Sequence, residues 1–146
     1  MKKKPLVKFH FMHSVALRRR NQLKLFISSV FAREKTPFKE LNVIFCSDDF
    51  LLGLNNQFLG HNYLTDILSF PLSDSGQPLE GELYISVERV SDNAGSLKHS
   101  LQSELHRVIF HGILHFCGYK DKTRAQIKAI RLREDYYLKK WFAGSL

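Results

Sequence analysis

The sequence predicts an α+β fold: a small mixed sheet of about four strands with about five helices, forming a single domain over residues 1–146. Three observations predict it. Four short runs with strand character are interleaved unevenly with segments of helical periodicity, and the last third is helical throughout. The segment from Leu101 to Phe116 is apolar almost all round, which suits a helix packed at the centre of a domain. A chain of 146 residues with 44% hydrophobic content is also long enough to bury one core.

The elements follow in order. Leu6 to Phe11 roughly alternates apolar and polar residues and reads as a strand. Val15 to Ala32 reads as a helix, with Leu23, Phe26, Ile27, Val30 and Phe31 at helical spacing and Arg18, Arg19 and Arg20 near its start. Leu41 to Cys46 is a β-branched and aromatic run, the second strand. Ser47-Asp48-Asp49 offers caps for a short helix through Phe58. Gly60-His61-Asn62 is turn chemistry, and Thr65 to Phe70 reads as a third strand closed by Pro71. Residues 73–81 read as a loop, Glu82 to Ser86 as a fourth strand, and a helix runs from about Val87 into the nineties. Ser100 is an N-cap for the apolar helix, with Glu104 near its positive end. Thr123 with Gln126 forms a capping-box pattern for the last helix, whose inner face is Ile127, Ile130, Leu138 and Trp141. No internal repeat or linker interrupts this order.

Charge is unevenly distributed. The net charge is +8, but residues 2–35 carry ten basic side chains and one acidic, residues 36–119 four basic and ten acidic, and residues 120–146 eight basic and three acidic. Two basic ends around an acidic middle favour a polyanionic partner, most often nucleic acid. Cys46 and Cys117 both sit in apolar runs and read as buried free thiols in a reducing compartment. Lys8, His10 and His13 interrupt the N-terminal segment, so a signal peptide is not expected, and no run approaches the length of a membrane span.

The most informative stretch closes the apolar helix. His111 and His115, four residues apart, share one helix face. Gly118 stands where the helix would stop, because glycine tolerates the left-handed conformation that ends helices. The chain beyond it can double back and bring Asp121 to the same point. Three borderline ligands with a fourth position open is how catalytic zinc sites are built. A metal site at the end of a central helix is a zincin-like arrangement. In the common metalloprotease pattern His-Glu-x-x-His, the glutamate is the general base. Gly112 occupies that position here, so peptide hydrolysis by the usual route lacks its base. A metal could still lower the pKa of a water and polarise a phosphoryl oxygen, which fits hydrolysis of a phosphodiester. The structural alternative is two core histidines bonded to backbone or to a carboxylate.

His111-Gly-x-Leu114-His115-x-x-Gly118-Tyr119 resembles the signature of the YbeY family of bacterial rRNA maturation factors. The resemblance extends upstream through Leu54-Asn55, through Thr65-Asp-Ile-Leu-Ser-Phe-Pro71 and through Gly81-Glu-Leu-Tyr-Ile85, in the family's order and spacing, and covers roughly residues 40–121. It implies a single-strand-specific endoribonuclease with one zinc ion, acting in 16S rRNA 3′-end maturation and ribosome quality control. It implies rRNA precursor and the small ribosomal subunit as partners, in the cytoplasm, with neither DNA nor a membrane expected. His111, His115 and Asp121 would hold the zinc.

Two departures qualify the match. The family's third metal-binding histidine falls on Asp121, and the aspartate before it on Lys120. Aspartate is a legitimate zinc ligand, but its charge should leave a less Lewis-acidic metal than three histidines would. The alternative is that Asp121 only caps the last helix. The family arginine before the turn glycine, thought to contact phosphate, is Leu59 here. Lys120, Lys122 and Arg124 are the candidates for that role, against the plainer reading of solvated surface charge. Asp66 is harder to explain by strand packing than its neighbours, and points to either a supporting role at the site or a structural one. His61, in the turn before the matched strand, could reach the site but reads more simply as a surface loop histidine; His99 reads as exposed, and His106 as lying on another helix face. Two other functions stay open: a ribosome-assembly protein with a structural metal, and a metal-dependent peptide hydrolase.

Overall fold

The computed structural model describes residues 4–144; Lys2 and Lys3 of the basic N-terminus lie outside the described residues. The elements run β1 (Leu6–Phe11), α1 (Arg20–Arg33), β2 (Phe38–Cys46), α2 (Asp48–Leu59), β3 (Ile67–Pro71), β4 (Leu79–Ser86), α3 (Val87–Leu97), α4 (Leu101–Phe116) and α5 (Arg124–Phe142). The four strands form one sheet in the order β1-β2-β4-β3. β1 and β4 lie parallel to β2, and β3 pairs antiparallel with β4, so the sheet is mixed as the sequence predicts.

Three boundaries differ from the sequence reading by three residues or more, each for a physical reason. β2 starts at Phe38 and β4 at Leu79, because Phe38 pairs with Leu79 and the Leu79 amide donates to the Pro37 carbonyl at 2.9 Å. That ladder overrides the turn chemistry of Pro78 and Gly81. Gly81 leaves room for the ring of Phe116, which would lie 2.8 Å from a Cβ there and would have to shift. α1 starts at Arg20, five residues late, because Arg19 adopts a left-handed conformation (φ 54°) that breaks the helical path. Leu17, 5% exposed, anchors the preceding segment in the core.

One face of the sheet carries the main core. Phe26, Val30 and Phe31 of α1 and Leu105, Ile109, Phe110, Ile113 and Leu114 of α4 pack with Leu41, Val43, Leu83 and Ile85 of the sheet, and α5 adds Ile130, Tyr137 and Trp141. Each fully buried side chain of this kind contributes roughly 1.5–3 kcal/mol. α2 covers part of the other face, where Leu51 meets Cys46 and Leu68 in a smaller cluster. Both cysteines are free, Cys46 buried and Cys117 partly so. Burial pushes the Cys46 thiol up to about 12 and the Cys117 thiol to about 11, which keeps both protonated. Among the described residues no helix is long and apolar enough to cross a membrane.

Gly112 explains how close α4 comes to the sheet. A Cβ at this position would lie 2.6 Å from Cδ1 of Ile67 and 2.7 Å from Cδ2 of Leu83. The position therefore faces β3 and β4, and no carboxylate fits where the protease pattern has one.

Candidate metal centre

α4 is capped at its start by Ser100, whose hydroxyl accepts from the Ser103 amide at 3.0 Å, and it ends little more than one turn beyond His111. Gly118 then takes φ +100°, and the Tyr119 amide returns to the Leu114 carbonyl. This reversal sends the chain back past His115. It also places the Tyr119 carbonyl 2.9 Å from His115 Nδ1. α5 is capped by Thr123 and Gln126 in a reciprocal box, so Asp121 is not the helix cap. Its carboxylate turns inward instead, with Oδ2 3.3 Å from His111 Nε2 and 3.2 Å from His115 Nε2. The two Nε2 atoms are 2.9 Å apart.

Hydrogen bonding sets the tautomer of both rings. His111 Nδ1 lies 2.6 Å from Oε2 of Glu134, and His115 Nδ1 faces a backbone carbonyl. Both partners only accept, so each Nδ1 carries the proton and each Nε2 presents a lone pair. Two lone pairs and a carboxylate oxygen then converge within 2.9–3.3 Å. Such a cluster needs a proton or a cation between its members. Tetrahedral zinc, with bonds of about 2.0–2.1 Å, sets its ligand atoms about 3.3 Å apart, so the donor set fits such an ion. Burial disfavours a charged His111, but the hydrogen bond and charge of Glu134, with Asp121 and Asp66, outweigh it and raise its pKa.

Glu134 is 3% exposed and its other oxygen accepts from Arg107 Nη1 at 2.9 Å. Arg107 also donates to Asp135 at 2.6 Å. A chain Arg107–Glu134–His111 thus joins α4 to α5 behind the site. A second chain supports His115. The Tyr119 hydroxyl donates to Glu34 at 2.8 Å, and Glu34 also accepts from Arg133 at 2.7 Å and from Tyr137.

His111 and Asp121 lie where two hollows meet, and His115 lines the second of them. One, of about 390 Å³, is lined on its far side by Asn93, Glu104, Arg107 and Arg131. The other, of about 460 Å³, runs along β3 past Thr65, Ser69 and Pro71 to Leu59. Asp66, His111 and Asp121 border both. Burial holds the Asp66 carboxyl above its usual range, partly countered by the charge of His111.

Of the predicted site residues, His111, His115 and Asp121 come together, while Lys120, Lys122 and Arg124 are exposed and line neither hollow. Arg107 and Arg131 do line one, and were not singled out from sequence. Leu59, at the position of the expected arginine, does border the second hollow. His61 is exposed and stacks on Tyr63, away from the site. Glu134 was also missed, although it left a signal: it is the one carboxylate within the inner stripe of α5 set by Ile130, Leu138 and Trp141.

The family model described as Endoribonuclease YbeY matches residues 12–142. A protein named Endoribonuclease YbeY from Cytophaga hutchinsonii is 46% identical over 120 residues, covering 82% of this chain and 83% of that protein. Its namesake from Flavobacterium psychrophilum is 41% identical over 134 residues, covering 92% and 95%. The solution structure of TM1509 from Thermotoga maritima superimposes with a TM-score of 0.60 over 95% of this chain and 93% of that one, at 24% identity, which speaks for the fold alone. With a family model spanning nearly its whole length and relatives above 40% identity, the chain belongs to the YbeY endoribonuclease family.

Proposed function

We propose that this chain is a single-domain, zinc-dependent endoribonuclease that cuts single-stranded RNA during 16S rRNA 3′-end maturation and ribosome quality control in the cytoplasm. Family membership supports the reaction class. The observation that carries the zinc assignment is the convergence of two lone-pair nitrogens and the Asp121 oxygen within 2.9–3.3 Å. A bound ion would supply Lewis acidity, lowering the pKa of a water and polarising a phosphoryl oxygen.

The protein's own groups do the rest. Glu134 and the Tyr119 carbonyl fix the two rings in the tautomer that exposes Nε2. Asp66 borders both hollows, which supports a role for its carboxyl beside the bound strand. Arg131, with more than half of its side chain exposed and only a 4.0 Å ion pair to Glu134, can turn to meet a phosphate, whereas Arg107 is tied to Glu134 and Asp135 at 2.9 and 2.6 Å. The strand-lined hollow and the charged hollow accommodate the chain on either side of the cut, and the basic ends add phosphate contacts that weaken steeply with salt.

The second reading, a ribosome-assembly protein with a structural metal, is favoured by one observation: Leu59 stands in the cleft where relatives are expected to carry arginine. Purified protein, with and without chelator, on single-stranded and structured rRNA separates the two. Cleavage is expected to need the metal and to vanish in His111→Ala and His115→Ala. Cleavage surviving both substitutions would sink the nuclease centre.

A further inference from the structure

β3 is an edge strand: β4 pairs with it on one side, and among the described residues no strand lies on the other. The ladder decides which of its main-chain groups face the open side. The Ser86 amide donates to the Asp66 carbonyl at 3.0 Å, and the Leu72 amide donates to the Glu80 carbonyl at 2.7 Å. In an antiparallel pair such bonded positions alternate with unbonded ones. Asp66, Leu68, Phe70 and Leu72 therefore turn their N–H and C=O groups to β4, and Ile67, Ser69 and Pro71 turn theirs outward. Pro71 agrees with this phase, since a proline at an outward position takes no donor from the ladder.

Of these three, Ser69 alone offers both a donor and an acceptor. The Ile67 carbonyl accepts from the Thr65 hydroxyl at 3.4 Å, and Pro71 has only its carbonyl. The Ser69 N–H and C=O have no partner among the described residues, although Ser69 is half-buried. Main-chain groups in such a position need water or a ligand. In an extended residue the two groups point the same way, so Ser69 presents its donor and its acceptor side by side.

This edge stands in the wall of the hollow of about 460 Å³ that His111, His115 and Asp121 also line. Leu68 lines it too, although its side chain is buried against Cys46 and Leu51 on the far face of the sheet. The wall there therefore includes the main chain of β3. An added peptide strand needs a run of outward donors and acceptors, and Thr65 and Pro71 limit the run to one residue. A nucleobase needs no more than that: the Watson–Crick edge of each base carries a donor beside an acceptor.

We propose, resting on the reading of RNA as the substrate, that the main chain of Ser69 holds one nucleobase of the strand by its Watson–Crick edge. The base donates to the Ser69 carbonyl and accepts from the Ser69 N–H, in the hollow that holds the metal centre. A base paired in a duplex has its Watson–Crick edge occupied, so this contact selects single strands. Every base can make it, so it selects them without reading their sequence.

The full chain, freed of divalent ions so that no cleavage intervenes, is titrated into end-labelled RNA and binding is read as fluorescence anisotropy. The probes are a uridylate hexamer, the same hexamer methylated at the base N3, and a blunt RNA duplex. Methylation removes the donor of the Watson–Crick edge, and wild type should bind the methylated hexamer about tenfold more weakly, about one hydrogen bond. Ser69→Pro removes the outward N–H and fills its place with the proline ring, while the ladder to β4 keeps its bonds, as at Pro71. It should bind the uridylate hexamer about tenfold more weakly, with no preference over the methylated one, and leave duplex binding unaltered. Ser69→Ala, which restores the N–H, should restore the preference. Equal binding of the two hexamers by wild type overturns the contact with no variant needed, whether or not Ser69→Pro folds. A preference that survives Ser69→Pro, or is lost in Ser69→Ala, also overturns it. An end-capped threonine–valine hexapeptide that displaces uridylate from wild type but does not bind Ser69→Pro would put a peptide strand on the edge instead. No binding of any RNA would overturn the reading of RNA as the substrate, whereas binding without preference overturns the Ser69 contact alone.

Discussion

Oε2 of Glu134 lies 2.6 Å from Nδ1 of His111, and it joins the last helix to the ring that faces Asp121. The glutamate is buried, and Arg107 binds its other oxygen. A carboxylate behind a ligand histidine fixes the ring and makes it a stronger donor, and loss of such a partner typically costs 10–100-fold in metal affinity. Glu134→Gln keeps the size and one acceptor but removes the charge. Zinc affinity, measured by competition with a chelator, should fall by about tenfold or more. An unchanged affinity would mean that Glu134 serves packing alone.

Asp121 is the residue that distinguishes this centre from one built on three histidines. Asp121→Ala should lower zinc content and affinity, whereas His111→Ala and His115→Ala should abolish binding. Asp121→His should hold zinc and give a water of lower pKa, since a neutral ligand leaves the ion more Lewis acidic. The acidic limb of the pH–rate profile should then move to lower pH than in the wild type. Zinc content and affinity unchanged in Asp121→Ala would remove Asp121 from the centre.

Much of this arrangement was legible in the sequence, and the omissions have physical causes. The spacing of His111 and His115, the turn at Gly118 and the reach of Asp121 are local, within eleven residues, and helix geometry with one glycine reversal brings them together. Glu134 was legible in principle, as a carboxylate among Ile130, Leu138 and Trp141, but its partner depends on how α5 packs against α4. The lengths of β2 and β4 depend on each other's hydrogen bonds, which no local pattern reports: Pro78 and Gly81 signal a turn, and the ladder to β2 overrides it. Lys120, Lys122 and Arg124 show the converse error. Nearness in sequence to Asp121 did not bring them to its hollows, whereas Arg107 and Arg131 arrive from helix faces.

Gly112 should resist substitution for reasons of space. A Cβ would meet Ile67 and Leu83 at 2.6 and 2.7 Å, and both methyl groups belong to side chains packed between α4 and the sheet. Gly112→Ala is expected to destabilise the protein by about 1–3 kcal/mol, as overpacking commonly does, despite alanine's better helix propensity. Urea unfolding measures it. Equal or greater stability would show that α4 can move off the sheet at no cost.

Glu34 ties the stability of the fold to pH and to the loop that orients His115. Burial raises its pKa, but hydrogen bonds from Tyr137, Arg133 and Tyr119 and the charge of Arg133 outweigh it, and the folded carboxyl titrates below its ordinary value of 4.5. The folded state therefore binds this proton less tightly than the unfolded chain. Its stabilisation is complete above about pH 4.5 and is lost as pH falls through the lower folded value. Glu34→Gln removes this contribution and leaves Tyr119, Tyr137 and Arg133 with a weaker acceptor. Unfolding free energy at pH 7 should drop by about 1–3 kcal/mol, and the gap between wild type and variant should narrow as the pH is taken below 4.5. Because the Tyr119 carbonyl holds His115, the same variant should also lose some zinc affinity, though less than Glu134→Gln, whose contact to the ring is direct. A gap that stays constant with pH would show that Glu34 contributes through packing and not through its charge.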